Sequence, residues 1–159
     1  MRTLEPTDLS YFDTAPVRIV ASATIATTPA ALFELFADAP SWPSWFPRMK
    51  RAAWTGATTS GVGAEREVGL GVLGRFRERM IAWEPGARFA FTMTGTTSPL
   101  VRHLAEDYRL VAVADGTRID WVMAATPTAL GRLGMPIMRR LVRGLFVGAG
   151  ERLRARFAR

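Results

Sequence analysis

The sequence has no cysteine and only one histidine, and each shortage excludes a class of function. Without cysteine the chain can form no disulfide, no thiolate metal site and no cysteine nucleophile. A lone histidine, His103, cannot supply a metal site by itself. No apolar run approaches the roughly 18 residues of a membrane-spanning helix. The sequence therefore predicts a protein without a metal ion, without a cofactor and without a transmembrane helix.

Lysine is also nearly absent, although the chain is strongly basic. Lys50 is the single lysine, and 21 basic residues against 14 acidic ones give a net charge of +7. Such an excess is typical of nucleic-acid-binding proteins. The bias towards arginine, alanine and glycine is, however, what a GC-rich genome produces. We interpret the charge as a solvated basic surface, and expect no nucleic-acid partner and at most weak peripheral contact with a membrane.

The length of 159 residues and a hydrophobic content of 48% favour one folded domain. We expect an N-terminal arm over residues 1–16, packed down by Leu4, Tyr11 and Phe12, and a ligand-binding domain over residues 17–159. The arm carries three acidic residues and no apolar stretch, so it does not resemble a secretory signal. By default we expect a cytoplasmic location.

Hydrophobic periodicity predicts the order of the secondary structure. Residues 17–25 alternate as a half-buried strand, and Thr28-Pro29 begins a short helix that Pro40 and Pro43 end. A second short, aromatic-rich helix follows. Further strands are predicted at residues 50–55, 64–70, 75–83, 88–94, 101–113 and 117–125. From Pro136 the period becomes 3.6, which predicts one long amphipathic helix. Its predicted apolar stripe consists of Ile137, Leu141, Leu145, Ala149, Leu153 and Phe157.

This order predicts an α+β fold. Strands joined by short hairpins form an antiparallel meander. An apolar sheet face must be covered, and the C-terminal helix is the one long element available for this. We therefore expect a helix-grip architecture: a curved antiparallel sheet of about six to seven strands wrapped around the C-terminal helix, with two short helices after the first strand. Such an arrangement can enclose a cavity.

Several local motifs accompany this order: Thr28-Pro29, the Trp42-Pro43-x-Trp45 pair, Trp83-x-Pro85 and Gly116-Thr117. With the terminal helix, they resemble the START-like, helix-grip superfamily. This superfamily includes the polyketide cyclase/dehydrase and lipid-transport group, with the Bet v 1-type plant allergens as distant relatives. The resemblance implies binding of a hydrophobic small molecule such as a lipid, an isoprenoid or a polyketide. It says less about activity, because the same fold serves several functions.

Aromatic and apolar residues of the predicted inward faces are the candidate ligand-binding wall. They are Trp45, Phe46, Phe76, Phe89, Phe91, Met93, Tyr108, Trp121, Met123, Met138, Leu141 and Leu145. In this fold the core and the pocket wall are largely the same residues, so the two interpretations partly merge.

The segment Gly69–Gly74 matches the G-x-G-x-x-G pattern of dinucleotide sites. That pattern needs a following helix to receive the pyrophosphate, whereas a predicted strand follows here. We interpret the segment as a flexible hairpin loop. Its apolar residues Leu70, Val72 and Leu73 predict a gate at the cavity mouth, as the resemblance also implies.

Gly144 and Gly148 share one face of the long helix. Glycine inside a helix costs about 1 kcal/mol relative to alanine, so close approach by another group is expected there. The two alternatives are tight packing against the sheet or another chain, and space left for a ligand.

Charged residues alternate along residues 65–67 and 77–79. One residue from each strand could face the cavity, but we favour pairing at the sheet rim, because a buried ion pair is costly. The candidate catalytic or orienting residues are Glu67, Arg77, Glu78 and Tyr108. Alternation along residues 101–113 places Leu104, Glu106, Tyr108 and Leu110 on one face, with Tyr108 and Leu110 inward, and His103 outside.

The sequence permits an enzyme without supporting one, since it has no carboxylate–histidine pair at a recognisable spacing. The alternative to a binding protein is a polyketide cyclase/aromatase or a dehydratase that acts on the ligand in the same cavity. Such an enzyme needs a proton donor or acceptor placed at a carbonyl group. A protein-interaction module is a third possibility.

Overall fold

The structure is a computed structural model, and it describes residues 1–158. Eight strands span Arg2–Thr3 (β1), Val17–Ile25 (β2), Arg51–Trp54 (β3), Glu65–Gly69 (β4), Arg75–Glu84 (β5), Arg88–Thr96 (β6), Val101–Val113 (β7) and Gly116–Pro127 (β8). Five helices span Tyr11–Thr14 (α1), Pro29–Ala37 (α2), Trp42–Trp45 (α3), Ala129–Leu133 (α4) and Met135–Arg156 (α5). Short 3₁₀ turns occupy Ala39–Ser41 and Gly71–Leu73.

The strands form one antiparallel sheet in the order β2-β8-β7-β6-β5-β4-β3, and β1 pairs with the end of β6. The sheet is open, since β2 and β3 end it on opposite sides. Its concave face holds the main apolar core against α5 and the short helices α2 and α3. This arrangement confirms the predicted α+β helix-grip fold, with the two short helices after the first long strand.

Helix α5 packs on the sheet through its second half. Its fully buried positions begin at Val142 and continue through Phe146, Ala149 and Leu153. Gly150 is needed there, because a Cβ atom on it would lie 2.9 Å from Ala23 Cβ. The predicted apolar stripe was wrong at its start: Ile137 is 75% exposed, since the first turns of α5 precede the part that contacts the sheet.

The two predicted glycines of this helix have different surroundings. At Gly148 a Cβ atom would lie 2.8 Å from the Pro47 ring, so tight packing explains it. Gly144 is exposed, and a Cβ there would meet nothing within 4 Å. Neither glycine borders the cavity described below.

Helices α2 and α3 close one end of the concave face. Thr28 Oγ1 accepts a hydrogen bond from the Ala31 backbone N–H at 3.2 Å and caps α2. The Trp42 indole N–H donates to the Phe36 carbonyl at 2.9 Å, which ties α3 to α2. The aromatic side chains of both helices are thereby held over the sheet.

The N-terminal residues pack on two sides of the sheet. Leu4 joins the main core, whereas Phe12 is buried on the convex face among alanines of β5 to β8. Arg2 Nη2 donates to the carbonyl oxygens of Ser98 and Val101, each at 2.7 Å. The Met1 side chain lies against Gly95. Strand β1, helix α1 and the short helix α4 were not predicted from the sequence.

Candidate functional site

A cavity of about 330 Å³ lies between the concave face, the first half of α5 and two loops. This is within the range of small-molecule sites, and most of its lining is apolar. Eight residues of the predicted wall line it: Phe46, Phe76, Phe91, Met93, Met123, Met138, Leu141 and Leu145.

The other four predicted wall residues do not line the cavity. Trp45, Phe89, Tyr108 and Trp121 are almost fully buried in a cluster that we call the aromatic end, which also includes Phe36. The rings of Phe36 and Tyr108 lie 5.4 Å apart, and those of Tyr108 and Trp121 lie 6.1 Å apart. Their side chains face inward, but the space before them is filled by α2 and α3 and, over Trp121, by Phe146 of α5, whose ring stacks on the indole at 5.6 Å.

Strand register explains this division. Phe89, Tyr108 and Trp121 are direct partners across β6, β7 and β8 and form one row. Two residues along the same strands, Phe91, Glu106 and Met123 form the next row, and all three line the cavity. The cavity therefore begins one row beyond the cover of the short helices.

A buried ion pair stands beside the cavity, contrary to the rim pairing that we favoured. Arg66 of β4 and Glu78 of β5 are direct strand partners with 0% and 3% side-chain exposure, and Arg66 Nε donates to Glu78 Oε2. Glu78 lines the cavity, and Arg66 lies behind it. Burial raises the pKa of Glu78, and the positive charge of Arg66 opposes that rise.

Aromatic rings surround the Arg66 guanidinium group. Its Cζ atom lies 3.9 Å from the ring centroid of Trp42 and 4.8 Å from that of Phe91. These contacts are cation–π interactions, which are strongest when the cation is removed from water. Within residues 1–158, Nη1 and Nη2 of Arg66 have no hydrogen-bond partner. The aromatic rings and the Glu78 carboxylate are thus the direct contacts that stabilise this charge.

A second carboxyl group, Glu106 of β7, lines the same cavity. The Tyr108 hydroxyl donates a hydrogen bond to Glu106 Oε2 at 2.9 Å. Burial and the neighbouring charge of Glu78 raise the pKa of Glu106 to about 7, although the Tyr108 hydrogen bond works in the opposite direction. At neutral pH this carboxyl group is therefore present in both protonation states, as acid–base chemistry requires.

The four predicted polar candidates are divided between the two faces of the sheet. Glu78 lines the cavity, and Tyr108 reaches it indirectly through Glu106. Glu67 and Arg77 were wrongly expected there: they are direct partners on β4 and β5, turned away from the cavity, and Arg77 is exposed. Glu67 instead lies 3.7 Å from Arg75.

Two residues of the site, Arg66 and Glu106, were missing from the candidates. Alternation along β7 had already placed Glu106 on the same face as Tyr108, which was the available signal. For Arg66, alternation left both faces open. The pairing of β4 with β5 decided which face Arg66 takes. It sets Arg66 opposite Glu78 on the inward face and leaves the neighbouring pair Glu65 and Arg79 on the outward face.

The predicted gate loop borders the cavity. Leu70, Val72 and Leu73 all line it, and Val72 is also 93% exposed, so this loop forms part of the mouth. Gly71 and Gly74 have φ values of 62° and 105°, which explains two of the three glycines of the G-x-G-x-x-G match. Strand β5 follows directly, so the helix that a dinucleotide site requires is absent here.

His103 lies outside the cavity, where Nδ1 is 3.2 Å from the Glu5 carbonyl oxygen and the ring meets Tyr11 edge to face. Among the described residues, no group of three or more His, Asp or Glu side chains could hold a metal ion. No helix within residues 1–158 has both the length and the apolar character needed to cross a bilayer.

Comparison with known families agrees with this geometry. Residues 16–158 match the family model described as polyketide cyclase / dehydrase and lipid transport. The chain belongs to this family. The match covers strands β2 to β8, helices α2 to α5 and the cavity.

The chain is also similar to individual relatives and solved structures. The uncharacterized protein Rv2574 of Mycobacterium tuberculosis is 34% identical over 144 residues, which cover 89% of this chain and 85% of the relative. A START superfamily protein from Mycobacterium smegmatis matches with a TM-score of 0.73 and 11% identity, over 88% of this chain and 96% of that one. The di-domain ARO/CYC StfQ from the steffimycin biosynthetic pathway matches with a TM-score of 0.74 and 15% identity, over 89% of this chain and 50% of that one. At these identities the solved structures establish the fold alone.

Proposed function

We propose that this protein binds a hydrophobic small molecule of the lipid, isoprenoid or polyketide type in the cavity. One observation carries the proposal: an apolar cavity of about 330 Å³ has two carboxyl groups, Glu78 and Glu106, in its wall. A cavity that merely compensated for imperfect packing would gain nothing from buried carboxyl groups, because each is costly to desolvate.

The apolar lining supplies affinity, and the carboxyl groups supply orientation. Removing apolar surface from water contributes roughly 25 cal/mol per Å². A carboxyl group with a pKa of about 7 both donates and accepts a hydrogen bond near neutral pH. The expected ligand is therefore largely apolar and carries a carbonyl or hydroxyl oxygen that contacts Glu106.

Native and denaturing mass spectrometry of freshly purified protein tests this proposal. Extra mass that is lost on unfolding would identify a carried ligand. A fluorescent hydrophobic dye then reports on the cavity, and apolar competitors such as a long-chain ketone should displace it. The variant Leu141→Trp should weaken dye binding by narrowing the cavity, whereas Val20→Trp places an indole ring on an exposed position and should bind normally.

Two results would contradict the proposal. One is protein that carries no ligand and binds no dye at any concentration below the dye's solubility limit. The other is equal dye binding by Leu141→Trp, Val20→Trp and the unchanged protein, which would place the dye outside the cavity.

A second candidate function is a cyclase, aromatase or dehydratase activity on such a ligand. The support for it is the pair Glu106 and Glu78 with raised pKa values in one cavity wall. In its ionised form Glu106 could take a proton from a methylene group between two carbonyl groups. That carbon would attack a second carbonyl carbon, whose oxygen takes up a proton, and loss of water would follow. The sequence of steps requires no oxidant.

Substitution separates binding from catalysis. With a poly-β-ketone analogue as substrate, Glu106→Gln should lower kcat at least about a hundredfold and leave dye binding intact, which is the usual size of a general acid–base contribution. Glu67→Gln is the matched control, since it changes a carboxyl group outside the cavity. Equal turnover by both variants would remove the catalytic proposal and leave the binding proposal standing.

A further inference from the structure

The most exposed apolar side chains of the protein gather around the cavity mouth. Val72 is 93% exposed, Leu133 83% and Ile137 75%, and no other large hydrophobic residue among the described ones is as exposed. We call these three residues the mouth patch. Scattered single apolar residues are normal on a surface, but clustering of the most exposed ones marks an interaction site.

Three neighbouring segments bring the mouth patch together. Residues 97–100 line the cavity and lie between the other two segments. The carbonyl groups of Pro99 and Leu100 accept hydrogen bonds from the Thr128 hydroxyl and backbone N–H, at 2.9 Å and 3.0 Å. This contact positions α4, which carries Leu133. On the other side, Thr97 N–H donates to the Arg75 carbonyl at 3.1 Å and places the loop that carries Val72.

Ile137 adjoins the mouth through the helix that follows. It lies one turn before Leu141, and one residue before Met138, both of which line the cavity. Leu133 lies one further turn before Ile137, across the junction at Gly134. The mouth patch is therefore continuous with the apolar cavity lining and not a separate surface.

The three segments that form the mouth carry charge of one sign only. The sequence has no Asp or Glu between Glu67 and Glu78, between Glu84 and Glu106, or between Asp120 and Glu151, and the three mouth segments lie in these intervals. Arg132 directly precedes Leu133 in α4, and Arg140 lies about one turn after Ile137 in α5; both arginines are exposed. Apolar side chains flanked by arginines without carboxylates are complementary to an anionic lipid surface.

We propose that the cavity mouth docks on anionic membranes. The mouth patch enters the boundary between headgroups and acyl chains, and Arg132 and Arg140 contact the lipid phosphates. An apolar molecule could then pass between the bilayer and the cavity without crossing water. The docking surface goes beyond the proposed function, and its test does not require a ligand in the cavity.

Vesicle flotation tests this directly. The full chain should float with vesicles of phosphatidylcholine and phosphatidylglycerol in equal parts, bind weakly to phosphatidylcholine alone, and be released by high salt. Leu133→Ser and Ile137→Ser should each lower the vesicle partition coefficient by about tenfold. Arg140→Gln should lower it by about fivefold, and only on the vesicles that contain phosphatidylglycerol.

Matched controls lie on the same protein. Val62→Ser and Val147→Ser remove comparably exposed apolar side chains away from the mouth, and Arg152→Gln removes an exposed arginine further along α5. All three should partition like the unchanged protein. Because every substituted side chain is exposed, the thermal midpoint should not change, and its measurement excludes unfolding as a cause.

Three outcomes would overturn the proposal. One is the absence of flotation, and another is equal loss of partition in mouth and control variants. The third is sedimentation as a dimer that Ile137→Ser dissociates, which would assign the mouth patch to a second copy of the chain. If flotation fails while the dye still binds, the proposed docking surface is wrong and the proposed cavity function stands. If the protein floats but binds no dye, the docking surface stands and the cavity function is wrong.

Discussion

The row Phe89–Tyr108–Trp121 and the row Phe91–Glu106–Met123 lie on the same three strands, two residues apart. The first row belongs to the aromatic end, where Phe36 of α2 packs 6.1 Å from Phe89 and 5.4 Å from Tyr108. The second row faces the cavity and replaces two aromatic rings with a carboxyl group and a thioether. One step along the sheet therefore changes a filled core into a cavity wall, and the helix cover causes the change.

The ion pairs of β4 and β5 repeat this contrast across the sheet. Arg66–Glu78 lies inside, and its neighbour Arg79–Glu65 lies outside at 2.8 Å with both side chains at least a third exposed. Arg66→Met should lower the free energy of unfolding by about 3–5 kcal/mol, because Glu78 would be left buried without a partner. Arg79→Met should lower the free energy of unfolding by less than about 1 kcal/mol. Urea denaturation measures both, and equal costs would show that Glu78 finds another partner or is protonated cheaply.

Truncation of one aromatic ring in each region sharpens the comparison. Phe89→Ala should cost about 3–4 kcal/mol, because it opens a void inside a close-packed cluster. Phe76→Ala should cost about half as much, since this ring already borders the cavity. Urea denaturation gives the two values. In dye binding the order reverses: Phe76→Ala should change the dissociation constant, and Phe89→Ala should leave it within about twofold if the protein is folded.

The pH dependence of stability should differ between Glu106→Gln and the unchanged protein. Burial favours the protonated form of Glu106 in the folded state, so its contribution is fully present below its ordinary pKa of 4.5 and is lost as the pH rises through about 7. The unchanged protein should therefore lose up to about 3 kcal/mol relative to Glu106→Gln between pH 4.5 and pH 8. Denaturation at a series of pH values checks this, and parallel profiles would mean an ordinary pKa for Glu106.

The smallest expected difference concerns two helix caps. Thr28 Oγ1 caps α2 at the aromatic end, and Thr128 Oγ1 caps α4 by accepting from the Gly131 N–H at 3.1 Å. Thr28→Ala should lower global stability by about 1 kcal/mol. Thr128→Ala should lower global stability less than Thr28→Ala does. It should, however, increase amide hydrogen exchange in residues 97–100, because the Thr128 hydroxyl also donates a hydrogen bond to the Pro99 carbonyl. Faster exchange in both variants over the whole sheet would contradict this local effect.

Alternation and turn chemistry were sufficient for most of the fold. The strand Val101–Val113 has the predicted bounds, and it is joined to β8 by a two-residue hairpin turn at Ala114 and Asp115, between the partners Val113 and Gly116. The short helix α4 was missed, because five residues carry too few turns for a 3.6-residue period to be visible.

The candidate site was only partly predictable, since periodicity gives the face of a strand and not the position along it. Phe89 and Phe91 have the same pattern, and only the placement of α2 separates core from cavity wall. For Arg66, both faces were open until pairing with β5 was known. The cost of burying a charge argued for the rim, but the aromatic rings around Arg66, contributed by residues distant in sequence, offset that cost.

The contact that Arg2 makes with Ser98 and Val101 has a practical consequence for any binding measurement. Those carbonyl groups belong to residues that line the cavity, although no residue of the first sixteen lines it. An affinity tag fused ahead of Met1 would disturb the Arg2 contact and, through it, the cavity wall at residues 98–101. Dissociation constants from tagged and tag-cleaved protein should therefore differ, and the difference would measure how firmly the chain terminus governs ligand exchange.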